Sequence, residues 1–237
     1  DASPSRLVVA RHGAPLILGL GEGEHFAASD AAALIQITDR MVYLEDGDCA
    51  EITCAGISII DIKGRNVSRP VHLSELGADA VERGAYHHYM QKEIFEQPAA
   101  LARTLEMVAH AGSLQPEIFG ATAASLLART RSVTILACGT SYHAGMVARY
   151  WIESLVGIPC TVEIASEYRY RDAAVTPDTL IVTLSQSGET ADTLAALQYA
   201  KSLGHGTSLC ICNVPESALM RAAELKFLTR AGPEIGV

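Results

Sequence analysis

Residues 180–204 read LIVTLSQSGETADTLAALQYAKSLG. The first five are apolar or β-branched, the pattern of a strand buried on both faces. Six small or polar residues follow, Ser185-Gln186-Ser187-Gly188-Glu189-Thr190, and a helical pattern then runs from Ala191 to Leu203. Strand, polar junction and helix make one βα unit, and the chain repeats it. Residues 133–137 read as a strand and 142–156 as its helix. Residues 160–164 read as a second strand, followed by a short helix through Tyr170. The quoted stretch is the third unit, 208–211 is a fourth strand and 225–228 a fifth. Strands alternating with helices predict a parallel, doubly wound α/β sheet of flavodoxin-like type.

Upstream the pattern changes. Up to Val67 it is β-rich, with antiparallel signals. The apolar runs 7–10 and 16–19 are split by Gly13-Ala14-Pro15, a hairpin-like break. Ser29-Asp30 is placed to cap a short helix over 31–35. Residues 41–44 meet Glu45-Asp46-Gly47-Asp48, a tight-turn signal, and the strand resumes at 51–53. Residues 57–63 read as one more strand, ending at Gly64. The mixed, polar stretch 68–84 is expected to be a linker between a first domain, 1–67, and a second, 85–237. From Ala85 the pattern is helical. Met90, Ile94 and Phe95 share a face, Pro98 is placed to open a new helix, and Leu101, Leu105 and Val108 continue the apolar stripe.

Bulk properties narrow the function classes. The chain has 237 residues, 49% hydrophobic and 19% charged, enough to bury a core. Its formal charge is −9 and no stretch concentrates Lys and Arg among aromatics, which argues against a nucleic-acid partner. No apolar run reaches the roughly 18 residues of a membrane span. The six cysteines, at 49, 54, 138, 160, 210 and 212, follow neither metal-site nor disulfide-ladder spacing. They point to a reducing, cytoplasmic compartment, without disulfides or zinc. His87-His88 cannot readily share one metal ion from a helix and read as surface or packing residues. Tyr150 and Trp151 are expected to pack against neighbours.

In a doubly wound sheet, ligands bind beyond the carboxyl ends of the strands. Two polar junctions fall there. Cys138-Gly139-Thr140-Ser141 follows the first strand, and Ser185–Thr190 the third. Each precedes a helix whose free N–H groups and positive dipole end favour an anion. Hydroxyls add donors, and glycine lets backbone come close. Together they suit a phosphorylated, hydroxyl-bearing ligand. The alternative is that Ser187 simply caps the helix, with Glu189 favoured by the dipole in its first turn. Ser185 precedes that cap, so on either reading it should do little for the helix. Neither junction is GxGxxG or a Walker A loop, which disfavours dinucleotides and nucleoside triphosphates.

The motifs carry a resemblance. ILACGTSYHAGMVARYWIESLVGIPCTVEIASEYRYR (135–171) and LIVTLSQSGETADTLAALQYAKSLG (180–204) resemble the first sugar-isomerase (SIS) domain of the isomerizing glutamine–fructose-6-phosphate aminotransferase family. YHHYMQKEIFEQP (86–98) resembles the start of its isomerase half. LGLGEGEHFAASDAAALI (18–35) and VYLEDGDCAEI (42–52) resemble the last third of its glutaminase domain, an α+β N-terminal-nucleophile fold.

The resemblance implies an enzyme that hydrolyses glutamine, passes the ammonia internally, and converts fructose 6-phosphate to glucosamine 6-phosphate without metal or organic cofactor. The longer enzyme is expected to be a homo-oligomer. By position, the sugar-phosphate contacts fall on Gly139, Thr140, Ser141, Ser185, Gln186, Ser187 and Thr190, with a backbone contact at Val237. The catalytic cysteine, carboxylate, lysine and histidine of the family have no counterpart here. The chain is therefore read as an internal piece that binds part of the sugar phosphate and lacks both catalytic sets. A sugar-phosphate-sensing SIS regulator without catalysis is the alternative, although the β-rich first third does not resemble the helical DNA-binding module such regulators carry.

Overall fold

The computed structural model describes residues 5–29, 31–35, 37–74, 83–109 and 115–236. Contacts divide the chain into two compact units: residues up to Ile94 together with those from Gly232 onward, and Phe95–Ala231.

The first unit holds eight short strands among the described residues: β1 (Arg6–Ala10), β2 (Ile17–Leu20), β3 (His25–Ala28), β4 (Arg40–Tyr43), β5 (Cys49–Thr53), β6 (Gly56–Ile60), β7 (Asn66–Val67) and β8 (Val71–Leu73). They form two antiparallel sheets, ordered β1-β5-β6-β7 and β3-β2-β4-β8. Alternation along β5 sends Ala50 and Ile52 inward, where they meet Leu18, Val42, Leu44 and Ile59. The other face of the β2–β4 sheet packs on Ala31, Leu34 and Ile35.

Two expected hairpins are not hairpins. β1 and β2 lie in different sheets, as do β4 and β5. The turn signals at 13–15 and 45–48 mark crossings between the sheets. The crossings run side by side and bond each other: Arg11 N–H donates to the Asp48 carbonyl at 2.9 Å, and Gly47 N–H to the Arg11 carbonyl at 2.9 Å. The strand read over 57–63 ends at Ile60, because the Asp61 carboxylate folds the chain back by accepting from the Lys63 and Arg65 N–H groups. Within the stretch read as linker, residues 71–73 form β8 and residues 75–82 lie outside the described part. The capping residue Asp30 also lies outside it.

Pro98 does not open a new helix. It sits inside α1 (Tyr89–Ala109), a single 21-residue helix. Proline lacks the N–H that would bond the carbonyl four residues back, and the helix continues with that bond missing.

The second unit is the parallel sheet. A 3₁₀ turn (Pro116–Phe119) and α2 (Ala123–Arg129) precede β9 (Ser132–Ala137), α3 (Gly139–Trp151) and a π-helical turn (Ile152–Val156). Then come β10 (Cys160–Ile164), α4 (Ala165–Tyr168), β11 (Thr179–Ser185), α5 (Ala191–Ser202), β12 (Thr207–Cys212), α6 (Ala218–Ala222) and β13 (Leu225–Leu228). All neighbours are parallel, in the order β10-β9-β11-β12-β13. Helices cover both faces. Leu136, Ile181 and Cys210 pack against α4, α5 and α6 on one side, and Val133, Ile135, Leu180, Val182 and Leu209 against α2 and α3 on the other. Strands buried on both faces read as continuous apolar runs, which is why they stand out in the sequence.

α3 lies close on the sheet because it presents Gly145. A methyl there would come within 3.0 Å of Ile135 Cγ2 and Val162 Cγ1. Ala148 and Ile152 continue that face. Tyr150 and Trp151 lie on the opposite side and, against expectation, are 71% and 62% exposed.

Candidate functional site

The order of the parallel sheet reverses at β9. β10 lies on one side of it and β11 on the other, so connections leave in opposite directions and open a crevice beyond their carboxyl ends. Both polar junctions lie at this point. Thr183 pairs with Leu136, which sets Ser185 level with Cys138. The two junctions also touch: the Thr193 hydroxyl in the first turn of α5 approaches Cys138 Sγ at 3.9 Å.

At the first junction the chain turns sharply into α3. Gly139 has φ +56°, a conformation that favours glycine, and open space around it. α3 starts at Gly139, earlier than its apolar pattern suggested, so Gly139, Thr140 and Ser141 form its first turn. Their N–H groups have no acceptor within the helix. The N-cap position is Cys138, whose side chain makes no capping bond.

The second junction is more elaborate. Ser185 Oγ accepts from Gly188 N–H at 2.9 Å and lies 3.4 Å from Thr190 Oγ1. Ser187 Oγ accepts from Glu189 N–H at 3.2 Å. Ser187 is therefore not the cap of α5. That position is Thr190, again without a side-chain capping bond. Nor is Ser185 idle: it holds the turn, which the sequence reading missed. Gly188 sits at φ +67° with no room for a side chain, since a methyl there would overlap Ser217 Oγ and lie 2.6 Å from Cys212 Sγ. The Gln186 carbonyl accepts from Asn213 N–H at 3.1 Å and from Cys212 Sγ at 3.3 Å, tying the loop to the end of β12.

Two carboxylates flank this junction, and both are engaged elsewhere. Glu189 Oε1 accepts from Ala218 N–H at 2.9 Å, at the start of α6. Asp192, in the first turn of α5, pairs with Arg169 at 2.7 Å. Neither Asp192, Arg169 nor Thr193 stood out in the sequence, although an acidic residue in a first turn is an ordinary helix-start signal.

Cys212, level with Ser185 in the β11–β12 register, has its pKa lowered to about 6. The first cause is the hydrogen bond from the Cys210 thiol, followed by Ser217 and the nearby backbone N–H groups, against the opposing effect of burial. Cys210 moves upward for the complementary reason. Both thiols are buried, and all six cysteines are free.

Val237 lies outside the described residues. The two residues before it are held by α1: Glu93 Oε1 accepts from the N–H groups of Ile235 and Gly236, at 2.7 and 2.8 Å. Among the described residues no group of three or more His, Cys, Asp or Glu is arranged to hold a metal ion. No helix there is long and apolar enough to cross a membrane.

Comparison with known proteins matches residues 126–237 to the family model of the SIS domain. Over its full 237 residues the chain is 56% identical to a glutamine–fructose-6-phosphate aminotransferase (isomerizing) of Xylella fastidiosa strain 9a5c. It is 57% identical over 236 residues to that of Pseudomonas aeruginosa. It spans 39% of the length of each of these relatives. Among solved structures, the C-terminal domain of glucosamine-fructose-6-phosphate aminotransferase from Francisella tularensis superposes with a TM-score of 0.63 at 48% identity, covering 65% of this chain and 43% of that one. Tagatose-6-phosphate ketose/aldose isomerase from Escherichia coli shares the fold, with a TM-score of 0.53 at 20% identity, over 63% of this chain and 42% of its own.

Proposed function

We propose a role for a chain that belongs, over the stretch it spans, with the isomerizing glutamine–fructose-6-phosphate aminotransferases: it supplies the phosphate-binding end of their sugar-phosphate site. The ligand is fructose 6-phosphate or glucosamine 6-phosphate. The observation that carries this reading is the meeting, at one switch point, of two helix N-termini without side-chain caps. The first-turn N–H groups at 139–141 and 191–193, with the hydroxyls of Thr140, Ser141, Ser187 and Thr190, face phosphate oxygens as donors. Each charge-assisted bond of this kind is worth roughly 1.5–3 kcal/mol. Ser185 and Gly188 shape the second loop, and Gln186 holds it to β12.

On this reading the chain binds and orients the sugar phosphate, and hydrolysis of glutamine and amination of the sugar need residues it does not carry. Both parts are testable. Titration with glucose 6-phosphate, followed through backbone amide resonances, should move Gly139, Thr140, Ser141, Gly188 and Thr190 first, and glucose should not. Glutamate release from glutamine and glucosamine 6-phosphate formation should both be absent at high protein concentration. Shifts confined to residues far from the two junctions, or turnover in either assay, would overturn the assignment.

A further inference from the structure

An anion site at the start of α5 has an electrostatic difficulty. Asp192 lies in the first turn of that helix, two residues beyond the cap position, about 3 Å along the axis. Its side chain is 43% exposed, and a carboxylate there would repel a phosphate dianion at the helix mouth. Glu189, the other carboxylate of the junction, is engaged by Ala218 N–H. Asp192 is engaged by Arg169 from the end of α4: Arg169 Nη1 donates to Asp192 Oδ1 at 2.7 Å, and the guanidinium also lies 4.6 Å from the centre of the Tyr170 ring. The arginine is 29% exposed, better shielded than its partner.

We propose that Arg169 is a specificity-determining positioning residue for phosphate. It neutralises Asp192 and draws its carboxylate toward α4, so that this carboxylate does not oppose the dipole end of α5. The inference rests on the reading of the α3 and α5 junctions as a phosphate site. An exposed ion pair is a weak stabiliser of the fold, usually below about 1 kcal/mol. The effect of Arg169 is therefore on the ligand more than on the protein. With Arg169 removed, one uncompensated negative charge remains near a dianion. Across roughly 6–12 Å at a dielectric near that of water, this weakens binding roughly three- to tenfold. An unphosphorylated sugar carries no charge for Asp192 to oppose and should show no such loss.

The test is calorimetric titration of the full chain with glucose 6-phosphate at low and high ionic strength, using Arg169→Met, Arg169→Lys, Asp192→Asn and the double variant Arg169→Met/Asp192→Asn. Arg169→Met should bind more weakly by that factor, Arg169→Lys should recover most of the loss, and Asp192→Asn should bind as well as wild type or better. The double variant should match wild type, because it removes both charges of the pair and leaves neither to act on the phosphate. The deficit of Arg169→Met should shrink as salt is added. Equal weakness of the single and double variants, or wild-type affinity in Arg169→Met while wild type binds, overturns the role given to Arg169. Failure of wild type itself to bind glucose 6-phosphate overturns the underlying site, and this inference with it.

Discussion

Two loops of the molecule look alike in sequence and differ in what they leave over. Glu45-Asp46-Gly47-Asp48 and Ser185–Thr190 are both short, polar and built around a glycine with positive φ. In the first, Asp48 is 1% exposed and fully engaged. It accepts from Glu45 N–H at 2.8 Å and from Arg69 through two bonds of 2.9 and 2.8 Å. The loop closes on itself around this buried carboxylate. In the second, the side chains bond the loop's own backbone, but the first turn of the following helix keeps its donors. Polarity alone therefore does not mark a binding loop. Donors left without internal acceptors do.

The largest effect should come from opening the closed loop. Arg69→Met leaves the Asp48 carboxylate buried with one partner fewer. Breaking a buried pair in this way costs about 3–5 kcal/mol, which chemical denaturation should show as a lower midpoint for the first unit. Glucose 6-phosphate affinity should not change, because Arg69 and the proposed site lie in different units. If that affinity falls with stability, the loops are not independent.

Gly188→Ala comes next. The added methyl meets Ser217 and Cys212 in a left-handed backbone conformation. Strain and overpacking should together cost about 2–4 kcal/mol, with loss of measurable sugar-phosphate binding. Unchanged melting and binding would mean that the loop is not held as described.

Ser185→Ala is smaller and separates fold from ligand. It deletes the acceptor of Gly188 N–H, for about 1 kcal/mol of stability, and should weaken glucose 6-phosphate severalfold by loosening the turn. A stability loss with no change in affinity would make residues 185–190 a structural turn only.

The smallest effect is pH dependence in the first unit. Hydrogen bonding to Arg69, despite opposing burial, holds the Asp48 carboxyl below its ordinary value. A depressed carboxyl stabilises the fold above its unfolded pKa, and that contribution is lost as pH falls through the folded value. Denaturation of wild type should become easier in that acidic window, and Asp48→Asn should flatten the dependence.

The same contrast explains what could be read from sequence. In the parallel sheet, residues 160–164 and 225–228 form β10 and β13 as read, because strands covered on both faces show as unbroken apolar runs and each neighbour follows from the βα order. In the antiparallel unit, individual strands were visible but their partners were not. β1 pairs with β5 rather than β2, and nothing in a turn signal says that the next strand belongs to another sheet. At the proposed site, placement at strand ends was legible, whereas bonding was not. The capping role offered as the alternative for Ser187 does not hold, since it bonds Glu189 N–H, and Ser185, read as a ligand contact that does little for the helix, holds Gly188 N–H. The Arg169–Asp192 pair joins residues 23 apart that no local pattern connects.

The central claim is that the two junctions recognise phosphate. The most direct measurement is calorimetry of the full chain with glucose 6-phosphate and glucose under identical buffer and salt. The charge-assisted bonds and dipoles assigned here predict that glucose 6-phosphate binds at least about tenfold more tightly than glucose. Equal affinity for the two sugars would contradict it.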